Sequence, residues 1–88
     1  MSAVDIVMYT QEWCGYCRRA KNLLDRKNLA FREISLDNDP KLREEMIHRS
    51  GRRTVPQIFI GDRHIGGFEE LDALERDGGL DRIIEELR

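Results

Sequence analysis

Val4-Asp5-Ile6-Val7-Met8-Tyr9-Thr10-Gln11-Glu12-Trp13-Cys14-Gly15-Tyr16-Cys17-Arg18-Arg19-Ala20-Lys21-Asn22-Leu23-Leu24 is the stretch that decides the fold. Its first part, Val4 to Tyr9, is short, β-branched and aromatic and gives way to polar residues, which is the pattern of a buried strand. From Cys17 to about Asn28 the period changes. Cys17, Ala20, Leu23 and Leu24 recur at helical spacing, with Arg18, Arg19, Lys21 and Asp25 on the other face. The strand therefore delivers a pair of cysteines to the start of a helix, with Cys14 at or just before the first turn.

Working outward, Ala30 to Ser35 alternates without a clean polar face and reads as a second strand. Asp39 then offers an N-cap and Pro40 a residue suited to the first helical position. Leu42, Met46 and Ile47 follow at helical spacing, and Gly51 supplies the stop. Gln57 to Ile60 is a third strand, Gly61-Asp62 a tight turn, and Arg63 to Gly66 the returning fourth strand. Beyond Gly66-Gly67, Leu71 and Leu74 mark a short helix. Asp77-Gly78-Gly79 breaks it, and Leu80, Ile83, Ile84 and Leu87 mark the last one. The order β-α-β-α-β-β-α-α predicts an α/β, thioredoxin-like fold, a four-stranded mixed sheet flanked by helices on both faces.

At 88 residues the chain is expected to form a single domain over 1–88, because neither half would have a self-sufficient core. The formal net charge of −2 gives no argument for nucleic acid. No run approaches the roughly 18–20 apolar residues of a membrane span, and no basic segment leads into an apolar one at the N-terminus. A cytoplasmic protein with no membrane association is the expectation. Secreted scaffolds of this size rely on several separated bridges, whereas this chain has 2 cysteines within one turn of each other, so its thiols read as chemical.

At a helix start, the first sulfur of a CxxC pair faces N–H groups that the helix leaves unpaired. A free cysteine, with a pKa of about 8.5, is a few per cent thiolate at neutral pH, and a helix N-terminus can lower that value to about 3.5–7.5. Cys14 is thus the expected nucleophile. Cys17, shielded inside the first turn, is the expected resolving thiol, able to attack a mixed disulfide on Cys14. The competing reading is half of a zinc site, but the only remaining partners, His48 and His64, form no compact pair in the sequence. No metal ligand is assigned.

Three motifs carry a resemblance over essentially the whole chain. They are Tyr9-Thr10 leading into Cys14-Gly15-Tyr16-Cys17, then Gly51-Arg52-Arg53-Thr54-Val55-Pro56-Gln57-Ile58-Phe59-Ile60, and then Ile65-Gly66-Gly67-Phe68-Glu69-Glu70-Leu71. In these the sequence resembles the bacterial dithiol glutaredoxins. The resemblance implies a glutathione-dependent oxidoreductase, monomeric and requiring no cofactor, that reduces protein disulfides and glutathione-protein mixed disulfides. It also implies a cis Val55–Pro56 bond beside the nucleophile, leaving the Val55 main chain free to pair with glutathione like an added strand.

The glutathione-binding residues so implied are Tyr16, Arg53, Thr54, Val55, Pro56, Gly67, Phe68, Glu69 and Glu70. Physically, a helix starting after Gly67 suits a carboxylate on its N–H groups, and acidic side chains there suit an ammonium. Two departures stand out. Gln11 replaces a basic residue that relatives often carry, which leaves Arg53 as the expected anchor for the glycyl carboxylate, with backbone or Gln57 as the fallback, while Arg52 reads as solvated. Gly15 replaces a proline common between the cysteines. Relatives lacking that proline include homodimers that hold a [2Fe-2S] cluster on the first cysteine and bound glutathione, which is the alternative reading here. Trp13, beside the nucleophile, is expected in an exposed loop.

Overall fold

The computed structural model describes residues 4–88, so the first three residues of the expected unit lie outside it. The element order matches the sequence reading: β1 (Ile6–Thr10), α1 (Gly15–Arg26), β2 (Arg32–Ser35), α2 (Pro40–Ser50), β3 (Gln57–Ile60), β4 (Arg63–Gly66), α3 (Phe68–Arg76) and α4 (Gly79–Leu87). The sheet runs β2-β1-β3-β4. β1 pairs parallel with β2 across the α1 connection and antiparallel with β3, which forms the β3–β4 hairpin. β1 and β3 are the inner strands and are buried along their whole length, whereas β2 and β4 are short, mostly exposed edges.

Alternation along the inner strands sends side chains to two cores. On one face Ile6, Met8, Ile58 and Ile60 pack with Ala20, Leu23 and Leu24 of α1, Leu71 of α3, and Leu80 and Ile84 of α4. On the other, Val7, Tyr9 and Phe59 pack with Leu36 and with Met46 of α2. Burying each large aliphatic side chain contributes roughly 1.5–3 kcal/mol. α2 is further tied down by Tyr9, whose hydroxyl donates to Glu45 at 2.5 Å and accepts from Arg49 at 2.9 Å.

The caps fall where the residue types put them. Asp39 Oδ1 accepts from the Leu42 N–H at 3.1 Å, Pro40 opens α2, and Gly51 ends it at φ 72°. Boundaries of three elements move from the sequence reading, and β1 runs from Ile6 to Thr10 rather than Val4 to Tyr9. α1 begins at Gly15, directly after Cys14 as expected, and ends at Arg26 rather than about Asn28. β2 begins at Arg32, so Ala30 and Phe31 form the approach to the strand rather than part of it. Among the described residues, no helix is long and apolar enough to cross a membrane.

Candidate active site

β1 ends at Thr10, and the chain reaches α1 through an exposed loop in which Trp13 takes a left-handed φ of 61° and is 93% exposed. Cys14 is the N-cap of α1, in extended backbone conformation, and its Sγ accepts from the Cys17 N–H at 3.0 Å. The two cysteines are joined as a disulfide. Their surroundings differ sharply: Cys17 is 2% exposed within the core face of α1, while Cys14 is partly open to solvent. One sulfur is accessible and stabilised by a helix N–H. The other is reached only through it.

Facing the pair, the Val55–Pro56 bond is cis, as the resemblance implied, and the Val55 carbonyl oxygen lies 3.9 Å from Cys14 Sγ. The start of α3 closes against this loop. A Cβ on Gly67 would sit 3.4 Å from the Pro56 carbonyl, and one on Gly66, at φ 117°, would sit 2.5 Å from Glu70 Oε1. Gly66 needs glycine for its positive φ, while at Gly67 the approach is ordinary van der Waals contact.

Between these elements is an open pocket whose walls are Tyr16, Thr54, Val55 and Pro56 on one side and Gly67, Phe68, Glu69 and Glu70 on the other. Tyr16, 53% exposed, stacks on Phe68 with ring centroids 6.3 Å apart, and the Arg19 guanidinium lies over its ring. The Glu70 carboxylate accepts from the Gly67 N–H at 2.7 Å and from Arg52 at 2.8 Å. That backbone bond first, and the Arg52 charge second, hold its carboxyl below the usual glutamate value.

Eight of the nine binding residues inferred from sequence thus meet in one pocket, and Arg53 does not join them. Arg53 lines a separate depression on α2 with Lys41, Glu44, Glu45, Ile47 and His48, while Arg52 lines the pocket and pairs with Glu70. Arg52, which the sequence reading leaves solvated, is thus the arginine that borders this pocket. Gln57 is fully buried, with its Nε2 committed to the Thr54 carbonyl at 3.0 Å and Thr54 Oγ1 at 3.3 Å. On the Gln11 flank, Arg43 Nη2 donates to Gln11 Oε1 at 2.8 Å, bringing back a positive charge that the sequence reading missed.

A half-buried, half-open CxxC disulfide at a helix start, facing a cis-proline loop in a β-α-β-α-β-β-α-α sheet, defines a thiol-disulfide oxidoreductase of the thioredoxin-like fold. The glutaredoxin family pattern matches residues 6–65. The chain is 52% identical to a Pseudomonas aeruginosa glutaredoxin over 79 residues, 90% of this chain and 94% of the relative. It is also 52% identical to Escherichia coli glutaredoxin 3 over 80 residues, 91% of this chain and 96% of that one. The solution structure of a Brucella melitensis glutaredoxin superposes with a TM-score of 0.84 at 52% identity, covering 96% of this chain and 91% of that one. A buckwheat glutaredoxin solved as its glutathione complex superposes at 0.86 with 33% identity, covering 96% and 79% of the two chains. The chain belongs to the glutaredoxin family.

After reduction, the Cys17 N–H that now meets Cys14 Sγ would stabilise a thiolate there, and Cys17 has neither that donor nor solvent. Alkylation of the reduced protein followed against pH should show Cys14 reacting first and reaching its plateau well below the pH at which a free thiol ionises. A Cys14 rate still rising with a midpoint near about 8.5 would contradict this activation.

Proposed function

We propose that the protein is a glutathione-dependent reductase of protein disulfides and glutathionylated proteins, with Cys14 as nucleophile and Cys17 as resolving thiol. The observation that carries this is the pocket beside Cys14. Its main-chain wall at Val55 suits the extended cysteinyl unit of glutathione, and its far end pairs Arg52 and the α3 N-terminus with Glu69 and Glu70. A γ-glutamyl end bears one carboxylate and one ammonium, which those groups complement in charge. The glutathione complex of the buckwheat relative supports the same ligand.

With a glutathionylated protein, the Cys14 thiolate attacks the glutathione sulfur and the protein leaves as thiolate, which takes up a proton. A second glutathione thiolate then attacks the enzyme-bound glutathione, freeing Cys14 and producing glutathione disulfide. With a protein disulfide, Cys14 forms a mixed disulfide that Cys17 displaces, releasing the reduced protein. The enzyme is left in the Cys14–Cys17 state seen here, and two glutathiones reduce it.

Among the described residues no group of three or more His, Cys, Asp or Glu is arranged to hold a metal ion. The test of the main reading is steady-state release of glutathione from a glutathionylated peptide with excess reduced glutathione. Saturable turnover is expected. A protein that reduces simple disulfides but leaves the glutathionylated peptide untouched would overturn the proposed ligand.

A further inference from the structure

Gln57, the first residue of β3, is a fully buried carboxamide, and a buried amide must use its polar atoms or lose stability. Its Nε2 is spent on the carbonyl and hydroxyl of Thr54, at 3.0 and 3.3 Å. Its Oε1 lies 2.7 Å from His64 Nε2 on β4. Because Oε1 can only accept, His64 must carry its proton on Nε2. That holds for the neutral Nε2–H tautomer and for the imidazolium alike, so the link persists through titration of the ring. The imidazole is itself held in place, with its ring centroid 4.9 Å from that of Phe59, over which the Arg49 guanidinium also lies at 4.1 Å.

We propose that His64 is a positioning residue for the active site: through Gln57 it fixes the Thr54 carbonyl, and with it the orientation of the Val55 main chain that faces Cys14. The peptide unit anchored by Gln57 is the Thr54–Val55 unit. Its plane sets where the Val55 N–H points, and the next unit carries the Val55 carbonyl that lies 3.9 Å from Cys14 Sγ. A tilt of that plane would leave the protein folded, since the inner strands and both cores are unaffected, but would misalign the main-chain wall against a bound thiol compound. The inference rests on the reading of that wall as the glutathione-binding surface. It adds a residue outside the pocket that governs its fit.

The experiment compares His64→Phe, which keeps a ring on Phe59 but removes the donor, with His64→Gln, which keeps an N–H donor. For a glutathionylated peptide, His64→Phe should raise KM about three- to tenfold, the range expected for losing one part-buried hydrogen bond, with kcat changed less. The alkylation rate of reduced Cys14 should be unchanged, and His64→Gln should recover most of the KM. A purely structural role would instead lower the folded fraction and kcat without a selective rise in KM. Gln57→Met provides the second arm. It should raise KM similarly, and the double variant with His64→Phe should be no worse than Gln57→Met alone. Should His64→Phe fail to fold, an unchanged KM in Gln57→Met overturns the proposal. So does an unchanged KM in folded His64→Phe while the native enzyme saturates normally. A native enzyme that never processes the glutathionylated peptide overturns the functional reading instead.

Discussion

Replacing Cys14 with serine should reduce both activities, toward protein disulfides and toward glutathionylated proteins, to the uncatalysed background, whereas Cys17→Ser should keep the second and lose most of the first. The asymmetry follows from position. Cys14 is the N-cap whose sulfur meets both solvent and the Cys17 N–H, so it alone can be an accessible thiolate. A serine hydroxyl there stays protonated at neutral pH and cannot exchange with a disulfide. Cys17 is 2% exposed and has one accessible target, the sulfur three residues before it. Removing it leaves the glutathione route intact, because an external glutathione can free Cys14, but protein mixed disulfides must then wait for that external thiol. Stopped-flow or steady-state assays on both substrate types decide the matter. Retained turnover in Cys14→Ser, or no deglutathionylation in Cys17→Ser, would reverse the roles.

The second large effect concerns the arginines before Thr54. Arg52→Ala should raise KM for a glutathionylated peptide by roughly tenfold, and Arg53→Ala should leave it within about twofold. A partly exposed charge-assisted contact with a carboxylate is worth on the order of 1.5–3 kcal/mol at most, solvent screening pulls it to the low end, and about 1.4 kcal/mol is tenfold in affinity. Arg52 lines the pocket beside Glu70, whereas Arg53 lies on the α2 side. kcat should change less, since the carboxylate is remote from the reacting sulfurs and its contact is similar in ground and transition states. Because Arg52→Ala also removes the partner of Glu70, Arg52→Ala/Glu70→Gln separates the two roles: if KM falls back toward the native value, the loss came from the uncompensated carboxylate rather than from a ligand contact. Measurement at low and high salt should show the Arg52 effect shrinking as salt is added. A tenfold rise in Arg53→Ala with none in Arg52→Ala would restore the original assignment.

The contrast between those arginines marks the limit of what the residues disclose by themselves. The strand, cysteine pair and helix were legible because a short β-branched and aromatic run gives way, beyond Cys14, to apolar residues at helical spacing. Asp39, Pro40 and Gly51 framed α2 because capping is a local matter. The start of α1 was legible to within a residue, since Cys14 falls at or just before its first turn in both readings. The two arginines left no such signal: residues 51–56 form no strand, and Thr54, Val55 and Pro56 line the pocket in succession, so alternation does not choose between them. Arg43 beside Gln11, and His64 beside Gln57, left none, because both pairings are made by tertiary packing between elements distant in sequence.

The order β2-β1-β3-β4 also bears on how the molecule keeps to itself. A sheet edge is an unfilled row of donors and acceptors, and proteins that must remain dispersed guard it with short strands and charge. Both edges here are four residues long and carry ion pairs: Arg32 of β2 grips Asp5 at 2.9–3.0 Å and Glu33 meets Lys21 at 2.6 Å, while Arg63 of β4 meets Glu86 at 2.7 Å. A neighbour seeking to extend the sheet would have to strip water and counter-charge from these groups. The fold thereby discourages edge-to-edge aggregation while the Val55 main chain keeps its place on the wall of the open pocket beside the Cys14 sulfur.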